Sequence, residues 1–244
     1  MSESLVVNEI YLSVQGESTW AGLPCVFIRL TACNLRCSYC DTAYAFTAGK
    51  RQPSADVLTR VNELSKPYST GNLAQRLPLV ELTGGEPLLQ KSTLPLLKSL
   101  CDAGYTVLLE TSGAHDVSQV DARVHKIMDL KCPSSGESAR NRWENLNHLS
   151  ASDEIKFVLG SHEDYEWMKQ QISEHALAAR CPLLVSWVHP LNDAQRDASL
   201  KPFPADHSPI DRKELVERIT DDALPVRFQI QMHKVIWPPE QRGV

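Results

Sequence analysis

Three cysteines, Cys33, Cys37 and Cys40, fall within eight positions of the stretch CNLRCSYCDTAYAF at 33–46. Thiolates this close in sequence can converge on one metal centre. A structural zinc site closes with four ligands, usually in C-x2-C pairs, whereas the first gap here is three residues. A disulfide framework takes cysteines in pairs. A 4Fe–4S cube held by three thiolates leaves one iron open to a small molecule, which suits chemistry rather than electron transfer alone. Cys25, eight residues upstream on an expected strand, could close a zinc site as a fourth ligand, so a zinc-binding interaction module is the reading from another class.

Two further groups carry chemistry. TGGEP at 83–87 follows an apolar run and sets Gly84, Gly85 and the carboxylate of Glu86 in a turn, where two glycines let the backbone approach a ligand closely. SVQGES at 13–18 offers Gln15 and Glu17, a set of donors and acceptors, and Arg29 in FIRLTAC offers a planar fork for a carboxylate or a ring oxygen. Alone, Gln15 and Glu17 read as a turn about Gly16 and Arg29 as a surface residue. Together in one N-terminal block they favour a pocket.

The elements that must position these residues alternate regularly. Of the apolar runs at 25–32, 77–85, 105–113, 125–131, 154–160, 182–189 and 226–237, most are β-branched or Leu-rich on both faces, which suits parallel strands covered by helices. Segment 92–103 predicts a helix with Ser92 as N-cap, Leu94, Leu97, Leu100 and Cys101 on one face, and Gly104 past its end. Segment 161–180 opens on a Ser161-x-x-Asp164 capping pattern and aligns Tyr165, Met168 and Ile172. Segment 211–220 opens on Asp211 and buries Leu215 and Ile219. Irregular chain is expected at 66–78, with Pro67, Gly71 and Pro78, and at 190–210, with four prolines. This repetition predicts a parallel α/β sheet or barrel in a single domain, 1–244, with its site in the loops after the strands.

Composition bounds the rest. The 244 residues carry a net charge of −5, with 42% hydrophobic and 23% charged residues, an ordinary globular balance without the basic excess of an extended nucleic-acid surface. The N-terminal stretch lacks the basic and apolar regions of a secretory signal, and no run approaches the ~18 apolar residues of a membrane span. A cytoplasmic protein with neither membrane nor nucleic-acid partner is expected. In that reducing compartment, seven cysteines, an odd number, point to metal binding or chemistry. Cys25, Cys101, Cys132 and Cys181 read as small buried residues.

The C-x3-C-x2-C loop after the first of these runs, followed by GGEP, resembles the radical S-adenosylmethionine superfamily. SVQGES, Arg29 four residues before Cys33, CDT at 40–42 and the closing QMHKVIWPPEQRGV resemble its 7-carboxy-7-deazaguanine synthase (QueE) family. The resemblance runs from about residue 8 to the end and is densest at 8–46, 79–90, 105–116 and 226–244. It implies a modified, incomplete (β/α)6 TIM-like barrel. It implies a 4Fe–4S cluster on Cys33, Cys37 and Cys40, whose open iron chelates S-adenosylmethionine, and a 5′-deoxyadenosyl radical that takes hydrogen from C6 of 6-carboxy-5,6,7,8-tetrahydropterin. The ring contracts to 7-carboxy-7-deazaguanine, ammonia leaves, and S-adenosylmethionine is regenerated; such a carbon–nitrogen lyase serves 7-deazapurine and queuosine biosynthesis.

Residue by residue, the resemblance assigns Tyr39, Gly85, Glu86, Asp129, Lys131 and Ser186 to S-adenosylmethionine. It assigns Val14, Gln15, Gly16, Glu17, Arg29 and Thr83 to the substrate, and Thr42 to Mg²⁺. His115 and His233 fall in matched segments as helpers at most. Two departures stand out: DLK at 129–131 replaces the family's S-P-K, and Ser18 stands where the family often has Gly. An electron donor such as a flavodoxin or ferredoxin and a homodimer are also implied. A glycyl-radical activating enzyme shares the cysteine spacing and GGEP, and is the nearest enzymatic alternative.

Overall fold

The computed structural model describes residues 3–68 and 77–244. Nine strands, β1 (Ser4–Val14), β2 (Pro24–Leu30), β3 (Lys50–Pro53), β4 (Leu79–Gly84), β5 (Val107–Thr111), β6 (His125–Leu130), β7 (Glu154–Leu159), β8 (Leu183–Trp187) and β9 (Arg227–Gln229), form one sheet. Its order is β3-β1-β2-β4-β5-β6-β7-β8-β9, so β3 and β9 are unpaired edges and the barrel stays open. From β2 through β9 every neighbouring pair is parallel; β1 runs antiparallel to both β2 and β3. The helices are α1 (Ser54–Ser65), α2 (Thr93–Asp102), α3 (His162–Glu174), α4 (Arg212–Asp221) and the single turn α5 (His233–Ile236).

All seven apolar runs contain a parallel strand. The last one splits: only 227–229 is strand, because the chain then turns across the barrel mouth, where the Met232 N–H donates to the Gly16 carbonyl at 3.1 Å, and winds into α5. Strands β1 and β3 and helix α1, which buries Val57 and Val61, were not among the expected elements. Helix α3 stops at Glu174 rather than 180, since Ala176 takes a left-handed φ of 49° and a short 3-10 turn follows. Ser161 and Asp211 cap as expected, accepting the N–H of Asp164 and Glu214 at 3.1 and 2.9 Å. Ser92 does not: its backbone is already helical and its side chain makes no cap bond. Gly71 of the expected irregular 66–78 lies outside the described residues. Segment 190–210 carries no helix or strand beyond an isolated bridge at Pro209. Among the described residues no helix is long and apolar enough to cross a membrane.

Strand alternation sorts the side chains into layers. One face packs under the helices: Val26, Ile28, Val80, Leu82 and Leu109 against α1 and α2, and Ile155, Phe157 and Leu159 against α3 and α4. The other face lines the barrel. At the N-terminal ends of the strands it is an apolar plug of Cys25, Phe27, Leu79, Leu108 and Ile127. Two or four residues further along the same strands it turns polar, with Arg29, Glu81, Thr83, Glu110 and Asp129, joined by Lys156 from β7. The polar layer therefore sits at the C-terminal ends of the parallel strands, where loops of α/β folds build sites.

Candidate functional site

A cavity of about 230 Å³ opens above that layer. Cys33, Cys37 and Cys40 all line it as free thiols. The loop that carries them leaves β2 through Ala32, whose φ of 80° turns the chain sharply. The GGEP loop braces it: the Glu86 N–H donates to the Ala32 carbonyl at 2.8 Å and the Gly85 N–H to Leu30 at 3.2 Å. A Cβ on Gly85 would meet the Ala32 oxygen at 2.0 Å and the Cys33 Cβ at 2.9 Å, so only glycine allows this approach. Arg36 stacks on Phe46 at 4.1 Å and donates to the carbonyls of Cys33 and Leu35 at 2.8 and 2.7 Å.

The donor set fits an iron–sulfur cube. Three free thiols from one short loop line a single cavity. A cube takes each thiolate on a separate iron, so its ligands stand around a shared space. Cys25 is no fourth ligand, being buried in the plug with its thiol on the Val26 carbonyl. Burial pushes the Cys37 thiol up to about 11 and Cys40 up to about 12, with Lys131 partly opposing; bound iron would hold them as thiolates.

Val14, Gln15, Gly16, Glu17, Arg29 and Thr83 line the same cavity. The loop after β1 closes tightly, with Gln15 N–H on Leu23 and Gly22 N–H on Gln15, both at 2.8 Å. Ser18 holds a φ of 68°, the conformation glycine adopts freely, and its hydroxyl accepts the Trp20 N–H at 3.1 Å. Gly16 lies under His233; a Cβ there would meet its Nδ1 at 2.7 Å. Arg29 is fixed through Nε on Glu9 at 2.7 Å and Nη2 on Tyr11 at 3.0 Å. Thr42 also lines the cavity, its hydroxyl donating to Asp41 at 2.8 Å, and Asp41 is ion-paired with Lys234. Burial would raise the Asp41 carboxyl, but Lys234 and the two hydrogen bonds hold it well below the usual carboxylate range.

Tyr39, Gly85, Asp129 and Lys131 join the cysteines on the cavity wall. Lys131 donates to Asp129 Oδ2 at 2.6 Å, while Asp129 Oδ1 is buried without a partner among the described residues. Two assigned residues stand elsewhere. Glu86, expected to contact the methionine moiety, is fully buried off the wall. Its carboxylate accepts from Thr111 Oγ1 at 2.9 Å, Ser112 N–H at 2.8 Å and Ser112 Oγ at 2.6 Å, tying the GGEP loop to the end of β5. Ser186 lies behind the wall, its hydroxyl donating to Glu17 at 3.3 Å. His115 is not on the wall, whereas His233 is.

Glu81, Glu110 and Lys156 were missed. Lys156 Nζ donates to Glu17 Oε2 at 2.9 Å and Glu110 Oε1 at 2.8 Å, and Gln15 donates to Glu81. Burial would lower Lys156, but Glu110 and Glu17 keep it charged; burial, reinforced by Glu110, pushes Glu81 up. The signal was present in the sequence, since each is a charge inside an apolar run, Glu81 in VELTGG, Glu110 in VLLETSG and Lys156 in IKFVL.

No protein-family model matches the chain. It is 42% identical over 241 residues to the 7-carboxy-7-deazaguanine synthase of Koribacter versatilis, covering 98% of this chain and 99% of that one. The 7-carboxy-7-deazaguanine synthase of Chlorobaculum tepidum is 40% identical over 98% and 97% of the two chains, and that of Methanospirillum hungatei 34% over 98% and 88%. In fold, the chain is similar to the crystal structure of QueE from Escherichia coli, with a TM-score of 0.69 at 20% identity over 94% and 95% of the chains. It is also similar to Streptococcus suis SuiB bound to S-adenosylmethionine, with a TM-score of 0.56 at 13% identity over 82% and 48%.

Proposed function

This chain belongs to the 7-carboxy-7-deazaguanine synthase (QueE) family of the radical S-adenosylmethionine superfamily, and we propose from that premise how its own residues carry the reaction. It is a carbon–nitrogen lyase that contracts 6-carboxy-5,6,7,8-tetrahydropterin to 7-carboxy-7-deazaguanine with loss of ammonia, a step of 7-deazapurine and queuosine biosynthesis. The observation that supports the residue roles is a shared space: the cysteine loop and the Gln15–Arg29 wall face the same cavity.

When bound, the cluster and S-adenosylmethionine supply a 5′-deoxyadenosyl radical that removes hydrogen from C6 of the pterin. Cys33, Cys37 and Cys40 hold the cluster. The Gly85 backbone, the Tyr39 backbone and Lys131 orient S-adenosylmethionine, with the open Oδ1 of Asp129 as acceptor for a ligand N–H or O–H. Glu86 acts through the loop it anchors, and Ser186 through Glu17. Arg29, fixed from behind by Glu9 and Tyr11, turns the remaining edge of its fork to the substrate carboxylate. Val14, Gln15, Gly16, Glu17 and Thr83 seat the heterocycle. Thr42 Oγ1 suits Mg²⁺ as a hard oxygen donor, with substrate oxygens and water completing the shell. The chain works as one domain over 1–244, in the cytoplasm, as a homodimer reduced by a flavodoxin or ferredoxin.

Segment 231–234 lies over the loop after β1 and contributes to the cavity wall, which suits a small flat substrate better than the protein loop a glycyl-radical activating enzyme must admit. Anaerobic reconstitution, followed by incubation with S-adenosylmethionine, reductant, Mg²⁺ and the carboxytetrahydropterin, tests the reading. Release of 7-carboxy-7-deazaguanine is expected. A glycyl radical on a partner protein, with the pterin untouched, would overturn it.

A further inference from the structure

The wall residue Gln15 is held at both ends of its amide. Its carbonyl oxygen accepts the Glu17 N–H at 3.0 Å, and its nitrogen donates to Glu81. Glu81 is 2% exposed on β4. The charged and titratable groups facing it are Tyr11 from β1, Cys25 from β2, Glu17 from the loop after β1, Glu110 from β5 and Lys156 from β7. Lys156 directs its ammonium to Glu17 and Glu110 instead. Three carboxyls around one ammonium, Glu81 buried and Glu17 and Glu110 half-buried, cannot all ionise cheaply, and Glu81 is the one whose hydrogen bond comes from a neutral amide.

We propose that Glu81 is a positioning residue for substrate recognition, which holds the Gln15 amide in one of its two orientations and so sets the donor and acceptor order that the wall presents to a flat heterocycle. This deepens the reading of Gln15 as a substrate-binding residue and rests on it. The physical logic is that of a site built to hydrogen-bond one edge: a misplaced donor leaves a buried group unpaired, which discriminates far more strongly than shape alone. A protonated Glu81 offers its carbonyl oxygen to the Gln15 N–H and needs no cation. The upward push on its carboxyl agrees with that state.

Anaerobic steady-state kinetics on Glu81→Leu, Glu81→Gln and Gln15→Leu test this. Glu81→Leu should raise KM for the carboxytetrahydropterin about tenfold, the loss of roughly one well-made hydrogen bond, with kcat and the KM for S-adenosylmethionine changed much less. Glu81→Gln, the amide mimic of a neutral acid, should restore the KM. A structural readout stands beside activity. The unfolded chain releases the Glu81 proton at the ordinary glutamate value and the fold retains it to higher pH, so the wild type loses stability as pH rises between those values. Glu81→Gln should therefore unfold at a higher temperature than the wild type at pH 8, with the gap closing toward pH 5. A Glu81→Gln protein less stable than wild type at pH 8, or as impaired in KM as Glu81→Leu, would overturn the proposal. If Gln15→Leu raises KM and Glu81→Leu does not, Glu81 fails as a positioning residue while the Gln15 reading stands. If Gln15→Leu leaves KM unchanged, that reading falls and the proposal with it.

Discussion

Gly85 sits so close to Ala32 that the two signature loops form one object: a Cβ on Gly85 would stand 2.0 Å from the Ala32 carbonyl oxygen. The GGEP loop is thus a brace for the cysteine loop. Gly85→Ala should displace the cysteine loop, destabilise the fold by about 1–3 kcal/mol as overpacking does, and lower iron and sulfide content after anaerobic reconstitution. Chemical denaturation and metal analysis check both. Wild-type cluster content in Gly85→Ala would show that the two loops are not coupled.

Cys25 and Cys37 are both buried thiols with opposite duties. Cys37→Ala should abolish the 4Fe–4S absorbance. Cys25→Ala should keep it and cost only the apolar contact of a small side chain in the plug, about 1 kcal/mol. Loss of the cluster in Cys25→Ala would revive the four-ligand alternative.

Ser18 occupies a left-handed position, φ 68°, where the family often has glycine. A non-glycine residue there costs about 1–2 kcal/mol, offset in part by the hydrogen bond from Trp20 to its hydroxyl. Ser18→Gly should stabilise the chain slightly, by up to about 1 kcal/mol, in a denaturant titration. A clear loss of stability would mean that the hydroxyl outweighs the strain.

The proposed role of Arg29 depends on the shape of its guanidinium. Glu9 and Tyr11 hold two of its nitrogens, which a lysine cannot satisfy while also reaching the substrate. Arg29→Lys should raise the KM for the pterin at least about tenfold, with little change in substrate-free cleavage of S-adenosylmethionine. An unchanged KM would remove Arg29 from the carboxylate site.

Much of this is legible in the amino-acid sequence. The parallel strands inside the sheet announced themselves as apolar runs, because most of their residues are buried. The cysteines were legible because their spacing admits few uses. What escaped did so for physical reasons. Strand β1 pairs antiparallel with half-buried side chains, so its pattern is weaker. Glu86 looked like a ligand group because GGEP fixes where its backbone goes, while its side-chain direction is decided by Thr111 and Ser112, 25 and 26 residues away. The Glu81–Glu110–Lys156 layer is assembled from three strands, and only the register places it beside Gln15 and Glu17.

The account stands or falls on the pterin and the cluster-bound cofactor sharing one cavity. The most direct measurement is turnover, anaerobically and with reductant, of 6-carboxytetrahydropterin deuterated at C6, followed by mass spectrometry of the adenosyl group. The account predicts deuterium in the 5′ position of recovered S-adenosylmethionine and 5′-deoxyadenosine. Formation of 5′-deoxyadenosine free of deuterium, with the pterin label retained, would contradict it.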